Sequence, residues 1–520
     1  MNPHHPGESF SVWSESVTMP SFDPLTHDLM TDVCVIGGGI AGLTTAYLLM
    51  KEGKRVCILE AFEIAGGQTS KTTAHLSNVL GTRYLDLEKY HGKKGAKLIA
   101  ESHASAIQKI ADIITEEKIE CDFTYLNGYL FRSGESSVDL LENELACCQH
   151  AGITNLKIQE TLPTENFPPT QSLVFSDQAQ FNPLKYLKRL TEILVTSGVE
   201  IFSHTFVDEI KGGSQVFVKT RFGTKVKCLS IVVATHSPVN DLLAIHTKQY
   251  AYRTYAMAFR IPEGKIEKAL YWDTAEPYHY LRLAAPDVLI VGGEDHKTGQ
   301  QSHPEKSYEN LEVWLRSQIP YAGEVLFKWS GQVMESMDGI GFMGHNPADS
   351  NNVYVITGDS GNGMTHATIG AMLITDQIQG RKNSFESLYN PSRISLRALP
   401  TFIQENSNVA AQYIDWLTPK TVTDLDEIKG EQGGVLQMGL QMVAAYKDEN
   451  GNAHLMSAAC PHLGGLVSWN QAEKSWDCPC HGSRFDCHGK VIEGPATSDL
   501  EKIARPGLLA QPIPTGELDF

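Results

Sequence analysis

The chain has 520 residues, 42% of them hydrophobic, and 43 lysines and arginines face 61 aspartates and glutamates for a net charge of −18. That length suits two to four folding units with real cores, and an acidic balance without a basic run excludes nucleic acid and anionic membrane surfaces as partners. No lysine or arginine precedes Lys51 and no stretch approaches about eighteen apolar residues, so neither an export signal nor a membrane span is expected.

Residues 1–29 read as an N-terminal tail. Asp32–Ile36 is then an apolar strand running into Gly37-Gly38-Gly39-Ile40-Ala41-Gly42 and a helix through Met50, and a second strand, Arg55–Leu59, ends in Glu60 and Ala61. In such a βαβ unit Gly37 makes the tight turn, Gly39 admits a pyrophosphate to the backbone and Gly42 lets helix pack on strand. Glu60 stands where a carboxylate holds ribose hydroxyls. NAD and FAD share this fingerprint.

The loop that follows, GGQTSKTTAHL, carries Gly67, Thr69, Ser70, Lys71, Thr73 and His75. Residues 92–120 have the pattern of a long helix, and Leu229–Ala234 reads as a further strand of the parallel sheet. Strand-like runs include Tyr252–Ile261 and Val288–Gly292. Near residue 355 come another buried strand, a turn from Gly358 to Gly363, and a helix to Ile378 that includes Met364, Thr365 and His366. Residues 386–421, with Pro391, Pro400 and Pro419, read as a connector whose Tyr413–Leu417 stretch suggests a packed tether. Short strands with glycine turns then run through Gly439 to Leu455.

Cys460, His462, Cys478 and His481 form C-x-H and C-x-x-H half-sites separated by fifteen residues. Zinc fingers usually group two Cys and two His separately, whereas each half-site here supplies one of each. That is the ligand spacing of a Rieske [2Fe-2S] cluster, in which thiolates hold one iron and imidazoles the other.

The segment from residue 28 to about 390 resembles the FAD-dependent D-amino-acid oxidase superfamily, which includes glycine, sarcosine and gamma-glutamylputrescine oxidases. The C-terminal motif is similar to the Rieske family, with Gly494-Pro495 at the third, shielding loop. The resemblance implies an α/β FAD-binding Rossmann-like domain (30–90, 171–240, 330–385) with an interleaved α+β substrate domain (91–170, 241–329). A connector (386–421) leads to a C-terminal all-β Rieske domain (422–510). It implies FAD contacts at Gly37, Gly39, Ile40, Ala41, Gly42, Glu60, Ala61, Gly67, Thr69, Ser70, Thr73, Val207, Gly363, Met364 and Thr365. It also points the 363–378 helix N-terminus at the flavin. Against respiratory Rieske proteins, Gly465 replaces the disulfide partner of Cys480, leaving a free thiol. Phe485 replaces a tyrosine that bonds a ligand sulfur, and Ser483 is kept.

The expected activity is oxidation of a small-molecule amine or amino acid, with electrons leaving singly through the cluster to an external acceptor. No catalytic residue stands out; candidates are Lys71, His75, Tyr255, His279, Tyr280, Arg282, His296 and His366. The alternatives are a ferredoxin-fed reductase running the same chain inward and a cluster-based redox sensor. Ten cysteines, none obviously paired, suggest the cytoplasm. Cys34, Cys57, Cys147 and Cys148 read as inert core thiols.

Overall fold

In the computed structural model, the described residues are 9–503 apart from 135, 138, 165–166, 241–244, 348, 351 and 418–421. The expected Rieske segment's last residues, 504–510, lie outside them.

Val33–Ile36 is buried at every position because it lies inside a six-stranded sheet. The strand order is 342–345, 353–357, 230–233, 33–36, 56–59, 200–202, parallel except for the first pair. Continuous apolar strands are what a sheet covered on both faces requires. Helices Ile40–Lys51 and Gly363–Ile378 pack against each other on one face, and a small sheet of strands 29–30, 225–227, 217–220 and 207–211 shares a core with the other. Both glycine turns therefore open at the carboxyl ends of parallel strands, where open α/β sheets bind ligands.

A second sheet of nine strands runs in the order 325–336, 249–260, 288–297, 280–285, 270–273, 124–131, 172–180, 75–76, with 157–159 beside 172–180. Strands Ser172–Gln180 and Val325–Ser336 thus belong to this sheet, although the sequence grouped residues 171–240 and 330–385 with the dinucleotide-binding part. The long helix begins at Tyr84, not residue 92, and ends at Glu116. Gly92, at φ +69°, kinks it there, which is why the helical pattern fades on its N-terminal side.

Residues 432–493 form a three-stranded sheet (432–438, 441–447, 453–457) and a four-stranded sheet (468–470, 475–477, 484–486, 491–493). The connector packs, as its apolar residues suggest. The Tyr413 hydroxyl donates to the Leu463 carbonyl at 2.9 Å, and Trp416 Nε1 donates to that of Gly464 at 3.2 Å. No helix among the described residues is long and apolar enough to cross a membrane.

Candidate active site

The turn after Val33–Ile36 is built for close backbone approach. Gly37 has φ +107°, and a Cβ on Gly42 would lie 1.9 Å from the Gly37 carbonyl oxygen, so glycine alone lets the helix meet the strand. Glu60 braces the loop: Oε2 accepts from the Gly38 N–H at 2.6 Å and Oε1 from Phe62 at 2.8 Å. Burial raises its pKa, and these backbone bonds oppose the shift. Thr69 Oγ1 accepts from the Ile40 N–H at 3.2 Å.

These groups line one long cavity together with Gly39, Ala41, Ala61, Gly67, Thr73, Val207, Gly363 and Met364. Three expected contacts stand behind its wall. Gly42 serves helix packing, the Ser70 hydroxyl donates to the Gly67 carbonyl at 2.8 Å, and Thr365 Oγ1 pairs with His103 Nδ1 at 2.8 Å. Side-chain-free backbone, an acidic residue and two helix N-termini fit a dinucleotide.

The nine-stranded sheet roofs the cavity with Thr254, Trp272, Tyr280, Asp295, Gly331, Val333 and Glu335, and Tyr278 joins them from the loop before strand 280–285. Burial pushes Asp295 up to about 7 and, with the nearby charges of Asp359 and Asp295, pushes Glu335 up to about 8. Burial also raises Asp359, which lines the cavity from the glycine turn. No arginine lies among the described lining residues. Lys71 does line the cavity, but its ammonium donates to the Ser9 carbonyl.

Of the other side chains singled out from sequence, His75, Tyr280 and His366 also line the cavity. Burial, aided by Arg282, pulls His75 down to about 3, and burial pulls His366 down to about 4. Both imidazoles are neutral, and His366 Nε2 accepts from the Gly341 N–H at 3.2 Å. Tyr255, His279, Arg282 and His296 sit elsewhere. The Tyr255 hydroxyl pairs with His296 Nε2 at 2.9 Å in a separate apolar core. His279 lies between Asp273, at 2.8 Å, and Glu294, at 3.4 Å; burial opposes its charge, but these partners raise it to about 9. Arg282 is buried, donates to the carbonyls of Ala74 and Phe181, and lies over the Trp13 ring.

The sequence reading missed Asp295, Glu335 and Tyr278. The register of strands 249–260 and 288–297 shifts between Arg253 and Tyr255. The extra residue lies in strand 288–297, where Glu294 and Asp295 oppose Thr254 alone, and no periodicity announces this bulge beside the cavity-lining Asp295.

At the other motif, each ligand pair lies in a loop closed by its own backbone bonds. The Cys460 N–H donates to the Gly465 carbonyl at 2.8 Å, and the Cys478 N–H to the Ser483 carbonyl at 2.8 Å. Gly464 and Gly482 take the positive φ these turns need, +72° and +82°. The Cys460 and Cys478 thiols lie within hydrogen-bonding reach of each other, and the His462 and His481 rings stand 5.1 Å apart at 90°. Burial pulls both imidazoles down to about 4, and His462 Nε2 is buried without a hydrogen-bond partner. Two converging thiols beside two neutral imidazoles fit a mixed-ligand iron-sulfur cluster. Cys480 is in no disulfide among the described residues, and a Cβ on Gly465 would lie 2.6 Å from its sulfur. The Ser483 hydroxyl bonds the Cys460 thiol and accepts from the Ala496 N–H at 3.0 Å.

The third loop joins the two sites. Val491–Gly494, Ala496 and Thr497 line the dinucleotide cavity, and Gln68 Nε2 donates to Glu493 Oε1 at 2.8 Å. Beside it a buried network links the sheets: Arg253 bonds Ser330 Oγ and faces Glu473 at 3.5 Å and Glu493 at 3.9 Å, and Arg484 faces both and Asp477.

A nucleotide cradle under a mixed sheet, with an iron-sulfur fold closing one side, defines a two-cofactor flavoprotein. The chain belongs to the FAD dependent oxidoreductase family, whose pattern matches residues 32–377, and a Rieske [2Fe-2S] domain matches residues 416–504. It is an oxidoreductase that binds FAD and a [2Fe-2S] cluster. It is 34% identical to YhfW of Bacillus subtilis, a Rieske 2Fe-2S iron-sulfur protein by name, over 95% of this chain and 97% of that one. It is 22% identical to the gamma-glutamylputrescine oxidoreductase of Escherichia coli over 71% of this chain and 89% of that one. Among solved structures, glycine oxidase from Geobacillus kaustophilus superimposes with a TM-score of 0.59 at 16% identity, over 71% of this chain and all of that one.

Proposed function

We propose that this enzyme oxidises a small amine at the carbon bearing the nitrogen and delivers the electrons singly, through its Rieske centre, to an external acceptor. One observation carries this: a single cavity is lined by the FAD-binding residues, by an acidic and aromatic roof, and by the Rieske loop at 491–497. Bound FAD accepts two electrons together and releases them one at a time. Around it, Trp272, Tyr278 and Tyr280 exclude water, while Asp295, Glu335 and Asp359 make the roof favourable for a cation. Their raised pKa values mark carboxyls short of compensating positive charge, which an ammonium supplies.

With no arginine among the described lining residues, a substrate carboxylate lacks a bidentate partner. The substrate is therefore a diamine or polyamine in preference to an α-amino acid. Amine and amino-acid oxidations in the relatives' names agree with the reaction class. The oxidised product is an imine, which water hydrolyses. A basic electron-transfer protein suits the acidic surface as acceptor, and ten cysteines with no disulfide among the described residues suit the cytoplasm.

The test is anaerobic flavin bleaching with a panel of monoamines, diamines and amino acids. Bleaching by diamines ahead of amino acids is the expected result. Bleaching only by reduced ferredoxin would reverse the direction of electron flow.

A further inference from the structure

The turn at 245–248, which leads into the strand opening at Gln249, carries a buried histidine. The His246 ring lies 5.0 Å from the His462 ring at 69° and 5.6 Å from the His481 ring at 64°. Three imidazoles from distant parts of the chain thus form one contact group. His246 Nε2 is 3.1 Å from the Pro238 carbonyl oxygen, and the next residue, Val239, lines the flavin cavity.

The second ligand loop is gripped from the same side. A Cβ on Gly482 would lie 2.3 Å from Ala251 Cβ, and one on Gly299 would lie 2.8 Å from the Asp477 carbonyl oxygen. Gln332 Nε2 donates to the Gly482 carbonyl at 3.0 Å, and Gln300 Nε2 to that of Pro479 at 3.3 Å. Contacts this close, made by glycines against Ala251 Cβ and the Asp477 backbone, leave no space for the two units to slide.

We propose that the Rieske unit works from a fixed dock, with His246 as the positioning residue that holds the two cluster imidazoles against the flavin-binding unit for electron transfer within the chain. This rests on the reading that flavin and cluster exchange electrons. One electron passes from the two-electron-reduced flavin to the all-ferric cluster, whose histidine-bound iron becomes ferrous. The second follows after the cluster has given the first to an external one-electron acceptor. Because the imidazoles face inward, that acceptor approaches another side of the Rieske unit.

The experiment uses the full chain with both cofactors loaded and no substrate. A light-driven sacrificial donor reduces the flavin, and cluster reduction is followed by visible circular dichroism. In the native protein the step is expected to be independent of protein concentration and flat across an about fivefold range of solvent viscosity, since no domain excursion limits it. His246→Leu slows it about tenfold or more, and His246→Phe, which keeps a ring in place, slows it less. His246→Leu also shifts the g-values of the reduced cluster, a readout independent of turnover. A viscosity-dependent native rate overturns the fixed dock even if no variant folds. Unchanged rate and g-values in His246→Leu overturn the role of His246. A native protein whose reduced flavin never reduces its cluster overturns the proposed electron path, and this proposal with it.

Discussion

Arg253→Leu removes the guanidinium at the centre of the buried seam. Arg253 sits on the flavin-side sheet with its side chain 1% exposed, and Glu473, on the Rieske side, is 1% exposed. Its Nη2 donates to Ser330 Oγ at 2.6 Å and to Glu473 Oε2 at 3.5 Å, while Glu493 lies 3.9 Å from Nη1. The local group pairs two arginines, Arg253 and Arg484, with three carboxylates, Asp477, Glu473 and Glu493. The substitution takes its charge from −1 to −2 without adding solvent. Breaking a buried pair this way costs about 3–5 kcal/mol. Arg484 stays within 3.8 Å of Glu473 and 3.5 Å of Glu493, so the lower end applies. About 3 kcal/mol corresponds to a factor of roughly 150 in the equilibrium between docked and undocked units. Hydrogen exchange measured by mass spectrometry should show interface amides near Gly482 and Gly299 exchanging faster by that order, with the six-stranded sheet unaffected. Acceleration below threefold, in a variant retaining both cofactors, would refute the claim that this network holds the units together.

Gly42→Ala places a methyl 1.9 Å from the Gly37 carbonyl oxygen, and overpacking of about 1–3 kcal/mol should lower the melting temperature and FAD content together; full occupancy at an unchanged melting temperature would contradict the geometry. Asp295 and Glu335 titrate near 7 and 8 in the native state and near ordinary carboxylate values when unfolded. The native state therefore binds more protons over about pH 4–8, and stability falls as pH rises through that window. Asp295→Asn with Glu335→Gln should flatten the decline in thermal scans and weaken diamine binding about tenfold or more, as expected for lost charge-assisted bonds. Phe485→Tyr adds a hydroxyl within the buried core that contains Cys460 and Cys478. A donor to sulfur favours the reduced cluster, so its potential should rise by about 40 mV in a redox titration if about 1 kcal/mol of the bond is differential. An unchanged potential would mean that the hydroxyl does not reach a sulfur.

The two cofactor motifs were legible because their chemistry fixes residue type and spacing locally. Gly37 and Gly42 touch each other through backbone, and Cys460 and His462 share one loop, so neighbours in sequence are neighbours in function. The substrate roof was not legible. Tyr255 and Thr254 alternate faces as any strand neighbours do, but which face meets the cavity is set by packing, and the extra residue at Glu294 and Asp295 breaks the alternation of the partner strand. Arg282 has the composition of a carboxylate anchor but spends its donors on the carbonyls of Ala74 and Phe181. The seam was beyond reach for a different reason: Arg253 and Glu473 are 220 residues apart, and single-sequence patterns carry no signal for such pairs. The connector falls between these cases, since Tyr413 and Trp416 announced packing but not the ligand loop they would bind.

Gly465 stands where a cross-link to Cys480 is missing, and the ligand loops are instead braced from outside by Gln332, Gln300, Tyr413 and Trp416. A sulfur cross-link holds only while its surroundings stay oxidising, and thiol reductants dissolve it. A brace made of hydrogen bonds to backbone carbonyls and of close packing is indifferent to them. The cluster's mechanical support is thereby uncoupled from the chemical potential of ambient electrons, the same currency the cluster exists to trade in.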